Sequence, residues 1–410
     1  MTVQPAGDRG EAEALRTQLE ALKRKHAEEM ARADQALSAA QEKSYWLDRF
    51  HVGLNALMSS RAARELRSAI RGARGGLRAK GHRRALSARL RGDRSGSGAE
   101  RFARTLSPDL LHASPVTDAL YGRLSPDELA AIDARIDPSE RELLSSAGAG
   151  DRKRLTLALA AHHHVPGALE RTGLSAEMPP DDVHSMARGP VAAGGSYYYA
   201  DLVADALRAT GFEPAQAAAG LDFGCSSGRV VRVLAAAYPE VDWHACDPLA
   251  EAIEWAQAHL SGIRFEHSPQ LPPLPYGDGM FDFAFAVSIW SHFSERAALI
   301  WLDAIGRVLR PRGHLLLTTH GEHTVAHTHR VGQRSPGQLT AIEEALRARG
   351  FWYEPEFGEV GDHGLTNPDW GTAFLTPEWL LAKATPEWRV ALFHPGRVEG
   401  NQDLYVLERR

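Results

Sequence analysis

A short run of residues, LDFGCSSGR at 221–229, constrains the fold of this 410-residue chain more than any other stretch. Residues 221–223 have the apolar character that is typical of the end of a buried strand, and residues 224–228 are small enough for a tight turn. Helical spacing begins at Arg229, so the pattern predicts a strand, a glycine turn and a helix start. Such a turn presents backbone N–H groups to a bound ligand.

An acidic residue follows this turn at the distance expected of a carboxylate that binds a ribose. The second predicted strand, residues 241–246, is followed at once by Asp247. In nucleotide-binding α/β folds, an acidic residue about 20 positions beyond the turn accepts hydrogen bonds from ribose hydroxyls. A dinucleotide site stays an alternative, although the turn has the form G-x-S-x-G and the full GxGxxG pattern is absent.

These residues, together with ACD at 245–247, resemble motif I and the next acidic motif of class I S-adenosylmethionine-dependent methyltransferases. Two further segments resemble that family in the same order, LPYGDGMFDFAFAVSIWSHF at 274–293 and LRPRGHLLLTTHG at 309–321. The resemblance runs from about residue 197 to the C-terminus. It implies a seven-stranded Rossmann-like α/β sheet with S-adenosylmethionine as the cofactor; a nicotinamide oxidoreductase is the alternative.

The resemblance also implies roles for particular residues at the cofactor site. Asp222 would help to hold the amino acid end of the cofactor, and Asp247 the ribose, although Asp247 could equally cap the following helix. Ser268 would contact the adenine and Ser288 the methionine part. The predicted cofactor residues are Asp222, Gly224, Ser226, Gly228, Asp247, Ser268 and Ser288.

Two histidines follow predicted strands and are the candidate catalytic bases. His292 comes after the fourth strand and His320 ends the fifth. Because ligands bind outside the carboxyl ends of parallel strands, both are expected near the methyl acceptor. Histidine has a suitable pKa for removing a proton from a hydroxyl group. Asp362 and His363 form a weaker candidate for a supporting pair, and packing near a helix start is the alternative role for His292.

The acceptor is predicted from a long insert and from looser resemblances. The insert, about residues 322–374, carries a helix at 339–349 and an aromatic patch at 351–353, which either stacks on sugar rings or fills the core of the insert. Residues 402–407 resemble the ending of methyltransferases associated with bacterial surface glycans. This implies O-methylation of a sugar or glycan-linked hydroxyl. Methylation of a small molecule or a protein, and a non-catalytic donor-binding scaffold, are the alternatives.

The chain divides into four predicted parts. Residues 1–58 show the heptad-like spacing of a coiled coil, which indicates a homo-oligomer or a partner helix. Residues 59–105 are a basic amphipathic or linker segment. Residues 106–190 are predicted to be a small helical unit, with three adjacent histidines at 162–164. Residues 191–410 form the methyltransferase domain. Because neighbouring side chains on a helix point about 100° apart, the three histidines cannot share one ion, and no metal site is predicted.

The distribution of charge and the number of cysteines limit which binding partners and which cellular compartment are expected. Residues 61–104 contain fourteen basic and three acidic residues, a net charge of +11, so the rest of the chain carries −16. Such a segment suits an anionic membrane surface or a solvated tether. Nucleic acid is not expected, because this segment lacks aromatic residues for base stacking until Phe102. The two cysteines and the absence of a signal-like or membrane-spanning apolar run predict a cytoplasmic protein, peripheral to the inner membrane at most.

Overall fold

The computed structural model describes residues 113–180, 192–331, 334–355, 367–384, 386–398 and 400–410. The predicted coiled coil at 1–58 and the basic segment at 59–105 lie outside these residues, as do Asp362 and His363. Those predictions therefore stay predictions. None of the helices in the described ranges has the length and apolar character that a membrane span needs.

Seven strands form one central sheet. In chain order, the strands of the described residues are β1 (Ala219–Phe223), β2 (Asp242–Asp247), β3 (Ile263–His267), β4 (Phe281–Ala286), β5 (Leu309–Thr319), β6 (Phe351–Glu354), β7 (Thr372–Leu375), β8 (Trp388–Val398) and β9 (Gln402–Arg409). The sheet has the order β3-β2-β1-β4-β5-β9-β8. Pairs from β3 to β5 are parallel, whereas β9 is antiparallel to β5 and β8. The predicted seven-stranded Rossmann-like sheet is confirmed.

The helices begin at local sequence signals. They are α1 (Pro115–Tyr121), α2 (Pro126–Asp133), α3 (Pro138–Ser146), α4 (Ala149–His162), α5 (Pro166–Thr172), α6 (Ala192–Ala209), α7 (Val231–Ala237), α8 (Ala250–His259), α9 (Glu295–Val308), α10 (Glu322–Val331), α11 (Pro336–Arg349) and α12 (Pro377–Ala384). Ser125 and Ser335 each accept from the backbone N–H three residues later in a capping box, with proline in the first helical turn. The box at Ser335 explains why α11 starts earlier than the predicted helix at 339–349.

Alternating apolar side chains give the sheet a hydrophobic core on each face. Phe283 and Phe285 of β4 lie in one core cluster, whereas Phe281, Ala284 and Ala286 of the same strand lie in the other. Because the strand is covered on both faces, its sequence is a nearly continuous apolar run. The strand order reverses between β1 and β4, so a crevice opens at the carboxyl ends of these two strands.

The insert after β5 contains a hairpin that the sequence analysis described only as an aromatic patch. β6 and β7 pair in an antiparallel two-stranded sheet. Phe351 is buried, Trp352 packs against Phe374 and the helix α11 cluster, and the Tyr353 hydroxyl donates to the Pro368 carbonyl at 2.8 Å. Trp352 thus packs within the insert, whereas Phe351 lies in a core cluster of the central sheet and Tyr353 packs against that cluster.

The helical segment before the sheet shares its core with the sheet. Val116 and Leu120 of α1 and Leu157 of α4 lie in the same buried cluster as Leu202 of α6. The Arg123 guanidinium donates to the carbonyls of Ala236 and Ala237 at the end of α7, each at 2.8 Å. A cation at a helix C-terminus satisfies carbonyls that lack a partner within the helix. The predicted limits of the helical unit and the methyltransferase domain stay predictions.

A buried ion pair joins α4 to α6. The Arg154 Nε donates to Asp201 Oδ2 at 2.9 Å, and both side chains are almost fully buried. Asp201 Oδ1 also accepts from the backbone N–H groups of Val116 and Thr117, each at 2.9 Å. Burial raises the pKa of Asp201, and Arg154 and Thr117 oppose that rise. The Asp201 carboxylate of α6 thus binds groups of both α1 and α4.

Substitution of Arg154 tests how much this pair contributes. We expect Arg154→Met to lower the free energy of unfolding by about 3 kcal/mol, because it leaves the Asp201 carboxylate buried without its cation. The double variant Arg154→Met/Asp201→Asn should recover most of that loss. The control Lys153→Ala removes an exposed pair with Asp118 and should cost no more than about 0.5 kcal/mol. Chemical denaturation measures all three; equal losses in the Arg154 and Lys153 variants would contradict the assignment.

Candidate active site

The turn after β1 is held against the end of β2 by backbone hydrogen bonds. The N–H groups of Gly224 and Cys225 both donate to the Cys246 carbonyl, at 2.9 and 3.2 Å. Gly224, Ser226 and Gly228 have φ angles of 81°, 50° and 75°. This left-handed backbone is accessible to glycine at little cost and is strained for serine. The predicted tight turn is therefore present, and glycine or serine occupies each of these three left-handed positions.

Packing within the protein explains the two glycines. A Cβ atom on Gly224 would lie 2.3 Å from Cδ1 of Ile289, in the loop after β4. A Cβ atom on Gly228 would lie 2.7 Å from the ring of Phe265 in β3. From the sequence, these glycines were expected only to allow a tight turn that presents its backbone to a ligand. The structure shows that they also let neighbouring loops and strands lie close to the turn.

Asp247 connects the turn to the segment that follows β2. Its Oδ2 accepts from the Ser226 N–H at 2.7 Å, and its Oδ1 accepts from the Leu249 N–H at 2.9 Å. Helix α8 begins at Ala250 and has no side-chain cap, so Asp247 closes a turn before the helix and does not cap it. Each carboxylate oxygen can accept a second hydrogen bond, which leaves acceptor capacity for ribose hydroxyls.

Asp222 places a second carboxylate beside the first. It is the buried penultimate residue of β1, and the Val231 N–H donates a hydrogen bond to it. Burial raises the pKa of Asp222 well above its ordinary value, and the negative charge of Asp247 raises it further. A site with two neighbouring carboxylates and this shift favours a positively charged ligand. The ammonium and sulfonium groups of S-adenosylmethionine satisfy that requirement.

The two serines predicted at the cofactor site lie in different surroundings. Ser268 is 1% exposed, its N–H donates to the Asp247 carbonyl at 3.1 Å, and its hydroxyl hydrogen-bonds the Cys246 thiol. A ligand reaches this hydroxyl only if the protein rearranges, so an adenine contact through Ser268 stays a prediction that the structure does not favour. Ser288 is partly exposed at the carboxyl end of β4 and has a φ of 61°.

Sequence reasoning missed the network that fixes Ser288. The Gln402 amide donates to Ser288 Oγ at 2.8 Å and accepts from Thr318 Oγ1 at 2.7 Å. Thr318 Oγ1 in turn accepts from the Ser288 N–H at 2.7 Å. Gln402 is the first residue of β9, and only the antiparallel return of that strand brings it to the carboxyl ends of β4 and β5. Its position in the chain gives no sign of this role.

The two candidate histidines come together as predicted. The rings of His292 and His320 lie 6.1 Å apart between centroids, in an edge-to-face arrangement. His292 Nδ1 is 2.8 Å from the Gly371 carbonyl, and His320 Nδ1 is 3.2 Å from the Ala373 carbonyl. A carbonyl only accepts, so each Nδ1 carries a proton and each neutral ring has its lone pair on Nε2. His320 Nε2 lies 3.4 Å from the Gln402 amide, which donates to it.

The end of the insert supplies both of these carbonyls. Gly371 donates through its N–H to the His292 carbonyl and Ala373 to the Ser291 carbonyl, each at 2.8 Å, while Leu375 donates to the His320 carbonyl at 2.9 Å. The segment therefore runs between the loop after β4 and the end of β5. Trp370 stacks on the His292 ring, with centroids 4.8 Å apart. The insert thus sets the tautomer of both histidines.

Residues 221–313 match a family model described as a methyltransferase domain. This range contains the glycine turn, Asp222, Asp247 and the loop with His292. Its position in the seven-stranded sheet agrees with the predicted fold. The family match and the Rossmann-like sheet together indicate an S-adenosylmethionine-dependent methyltransferase. S-adenosylmethionine is its cofactor, and the carboxylates and turn described above fit the charge of that molecule.

Several solved structures, two of them described as methyltransferases, resemble this chain at low identity. The PH0226 protein of Pyrococcus horikoshii is 15% identical with a TM-score of 0.37, covering 52% of this chain and 92% of its own. A SAM-dependent methyltransferase of Methanosarcina mazei is 18% identical, with a TM-score of 0.34 and coverage of 47% and 92%. An O-methyltransferase family protein of Burkholderia thailandensis is 17% identical, with a TM-score of 0.35 and coverage of 53% and 57%.

The cysteines of this methyltransferase are not paired. Cys225 and Cys246 are both buried and free of a disulfide. Burial raises the pKa of each thiol above its ordinary value, and the nearby carboxylates of Asp222 and Asp247 raise it further. The thiols therefore stay protonated and unreactive at neutral pH.

We expect the Asp222→Asn variant to change stability and cofactor binding in opposite directions. Because the folded pKa of Asp222 is raised, its charged form destabilises the fold as pH rises above the ordinary aspartate range. We expect the neutral variant to raise the melting temperature of the ligand-free methyltransferase at pH 7. We also expect it to weaken S-adenosylhomocysteine binding by about 10- to 100-fold, since a charged hydrogen-bond acceptor is lost.

Thermal unfolding and calorimetry measure the two effects. The control is Glu240→Gln, an exposed acidic residue after α7, which should change neither quantity. A variant at Asp222 that binds as tightly as the wild type would show that this carboxylate does not contact the cofactor.

Proposed function

We propose that the enzyme transfers a methyl group to a hydroxyl of a sugar or a glycan-linked acceptor, with His292 as the general base. The observation that carries this proposal is the pair of imidazoles at the carboxyl ends of β4 and β5, each with its Nδ1 within hydrogen-bond distance of a backbone carbonyl. Deprotonation assists methyl transfer to a hydroxyl, and an imidazole with its lone pair on Nε2 is a suitable proton acceptor. An acceptor amine that is already neutral would need no such base.

The bound cofactor supplies a methyl group that its sulfonium centre activates for in-line displacement. Positioning then provides much of the rate enhancement. Asp222 would bind the amino acid end of the cofactor, and Asp247 would bind its ribose. The backbone of the turn at Gly224–Gly228 would contact the cofactor between them. Ser288, oriented by Gln402 and Thr318, lies where the methionine part is expected. His292 would accept the hydroxyl proton at Nε2 while Nδ1–H stays bonded to the Gly371 carbonyl.

We assign the base role to His292 and an orienting role to His320. Burial lowers the pKa of His320 to about 3, and the neighbouring His292 lowers it further. A base with so low a pKa takes a proton from a hydroxyl with little driving force. Its Nε2 also accepts from the Gln402 amide. His320 is therefore suited to orient the acceptor or the loop after β4. Trp370 stacks on the His292 ring and so fixes its orientation.

The glycan acceptor is supported by the chain's resemblances and charge. Residues 402–407 resemble the ending of methyltransferases associated with bacterial surface glycans, and residues 61–104 carry a net charge of +11. Such a basic segment would keep the enzyme close to an anionic membrane or carrier, each basic residue contributing about 1 kcal/mol near the surface. We also propose that the chain self-associates through residues 1–58, because their spacing is heptad-like.

Labelled methyl transfer tests both the acceptor and the base. With radiolabelled S-adenosylmethionine and a cell-envelope glycan extract, we expect a methyl ether product. His292→Gln should lower kcat by about 100-fold or more, because the general base is lost. Gln402→Ala should lower kcat less, and the exposed His329→Gln is the matched control, expected to be unchanged. Methylation confined to amines or to a protein would replace this proposal with the corresponding alternative.

The pH dependence distinguishes the two histidines. With His292 as the base, the rate should fall on the acid side of neutrality, because a protonated imidazole cannot accept the proton of the acceptor. His320 stays neutral throughout this range, since its pKa is lowered to about 3. We expect His320→Gln to retain the acid-side fall and His292→Gln to lose it. The opposite pattern would assign the base to His320.

A further inference from the structure

Three side chains with metal-binding atoms meet where α3 and α4 adjoin, away from the methyltransferase site. They are Glu140, His162 and His163, and their ligand atoms all lie within 4.8 Å of one another. His163 Nε2 is 2.8 Å from Glu140 Oε2. The rings of His162 and His163 have centroids 4.7 Å apart. The two histidines come from the run at 162–164 that the sequence analysis expected not to bind metal.

The end of α4 explains why two adjacent histidines converge. His162 is the last helical residue, and His163 has left the helix with φ −84° and ψ 10°. The 100° spacing that separates neighbouring side chains on a helix therefore does not apply to this pair. His164 has a φ of 47° and is not part of the cluster. The prediction that all three histidines do not share one ion is untouched, but the end of the helix inside the run lets two of them lie close together.

A second set of hydrogen bonds orients the carboxylate. The Asp137 N–H donates to Glu140 Oε2 at 2.8 Å, and the Glu140 N–H donates to Asp137 Oδ1 at 2.9 Å. This reciprocal pair at the start of α3 fixes the Glu140 side chain, as outer hydrogen bonds do for ligands in metal sites. The last carbonyls of α4 add a partial negative charge that favours a cation at the same corner.

We propose that Glu140, His162 and His163 bind a divalent first-row transition metal, with Zn²⁺ the best match. Two imidazoles and one carboxylate are ligands that Zn²⁺ takes, at about 2.0–2.2 Å, with water in the fourth position. Imidazole ligands select such ions over Mg²⁺ and Ca²⁺. Tetrahedral ligands at these lengths are about 3.4 Å apart, so a small rotation of the exposed His162 ring closes the cluster.

The proposed ion would tie the end of α4 to the start of α3. Between these helices lies a small buried cluster that includes Ile132, Ile136 and Leu159, with Leu144 of α3 packed against it. An ion that binds only the folded chain stabilises it by mass action. The ion would therefore stabilise the helical segment without taking part in methyl transfer.

Zinc titration of the full-length, tag-free chain tests the proposal. After removal of metals with a chelator, Zn²⁺ is added in a calorimeter to the wild type, to His162→Ala/His163→Ala and to the control His164→Ala. We expect the double variant to lose one binding event per chain and the control to keep it. Co²⁺ in place of Zn²⁺ should give visible absorption bands in the wild type and the control only.

Folding is checked independently, since a variant could fail for structural reasons. Each variant should retain its metal-free melting temperature and its affinity for S-adenosylhomocysteine, whose site lies on other elements. Glu140→Gln provides a second test, because it keeps the hydrogen bonds but lowers the negative charge, and should weaken Zn²⁺ binding about tenfold or more. Equal zinc stoichiometry in all variants, or loss in the His164 control as well, would overturn the proposal.

Discussion

One carboxylate holds the candidate site together. Asp247 accepts from the backbone of Ser226 in the turn after β1 and from Leu249 after β2. Without it, the left-handed backbone at Ser226 would lose the carboxylate that accepts its N–H, while the parallel pairing of β1 with β2 would remain. Because the charge of Asp247 also raises the pKa of Asp222, the same group creates the negative environment that suits a sulfonium cofactor. The structure of the turn depends on this side chain, and we propose that cofactor binding depends on it as well.

The acceptor side is built from parts that are distant in the chain. The loop after β4 supplies His292 and Ser288, the end of β5 supplies His320, and the insert supplies the carbonyls that set both histidine tautomers. The last strand then adds Gln402, whose amide connects Ser288, Thr318 and His320. Assembly of this side therefore requires the complete sheet and the docked insert. The cofactor side, by contrast, is largely local to β1 and β2.

This difference decides how much could be predicted from the sequence. The turn at 224–228, Asp222 and Asp247 lie close together in the chain, and their local pattern was enough to predict the arrangement. His292 and His320 were also predicted together, because parallel strands share a carboxyl edge. Gln402 and the Gly371 carbonyl were not, since an antiparallel return and a hairpin bring them there. The closeness of His162 and His163 to Glu140 was not predicted, because α4 ends at His162 and His163 has left the helix.

The most direct test of the central claim is the affinity of S-adenosylhomocysteine for Asp247→Asn, measured by calorimetry beside the wild type and the exposed Glu251→Gln control. If Asp247 accepts hydrogen bonds from the ribose and from the turn, the variant should bind S-adenosylhomocysteine about 100-fold more weakly. This corresponds to about 2.7 kcal/mol of binding free energy. The control should bind like the wild type. Undiminished binding by Asp247→Asn, or no binding by the wild type, would contradict the account.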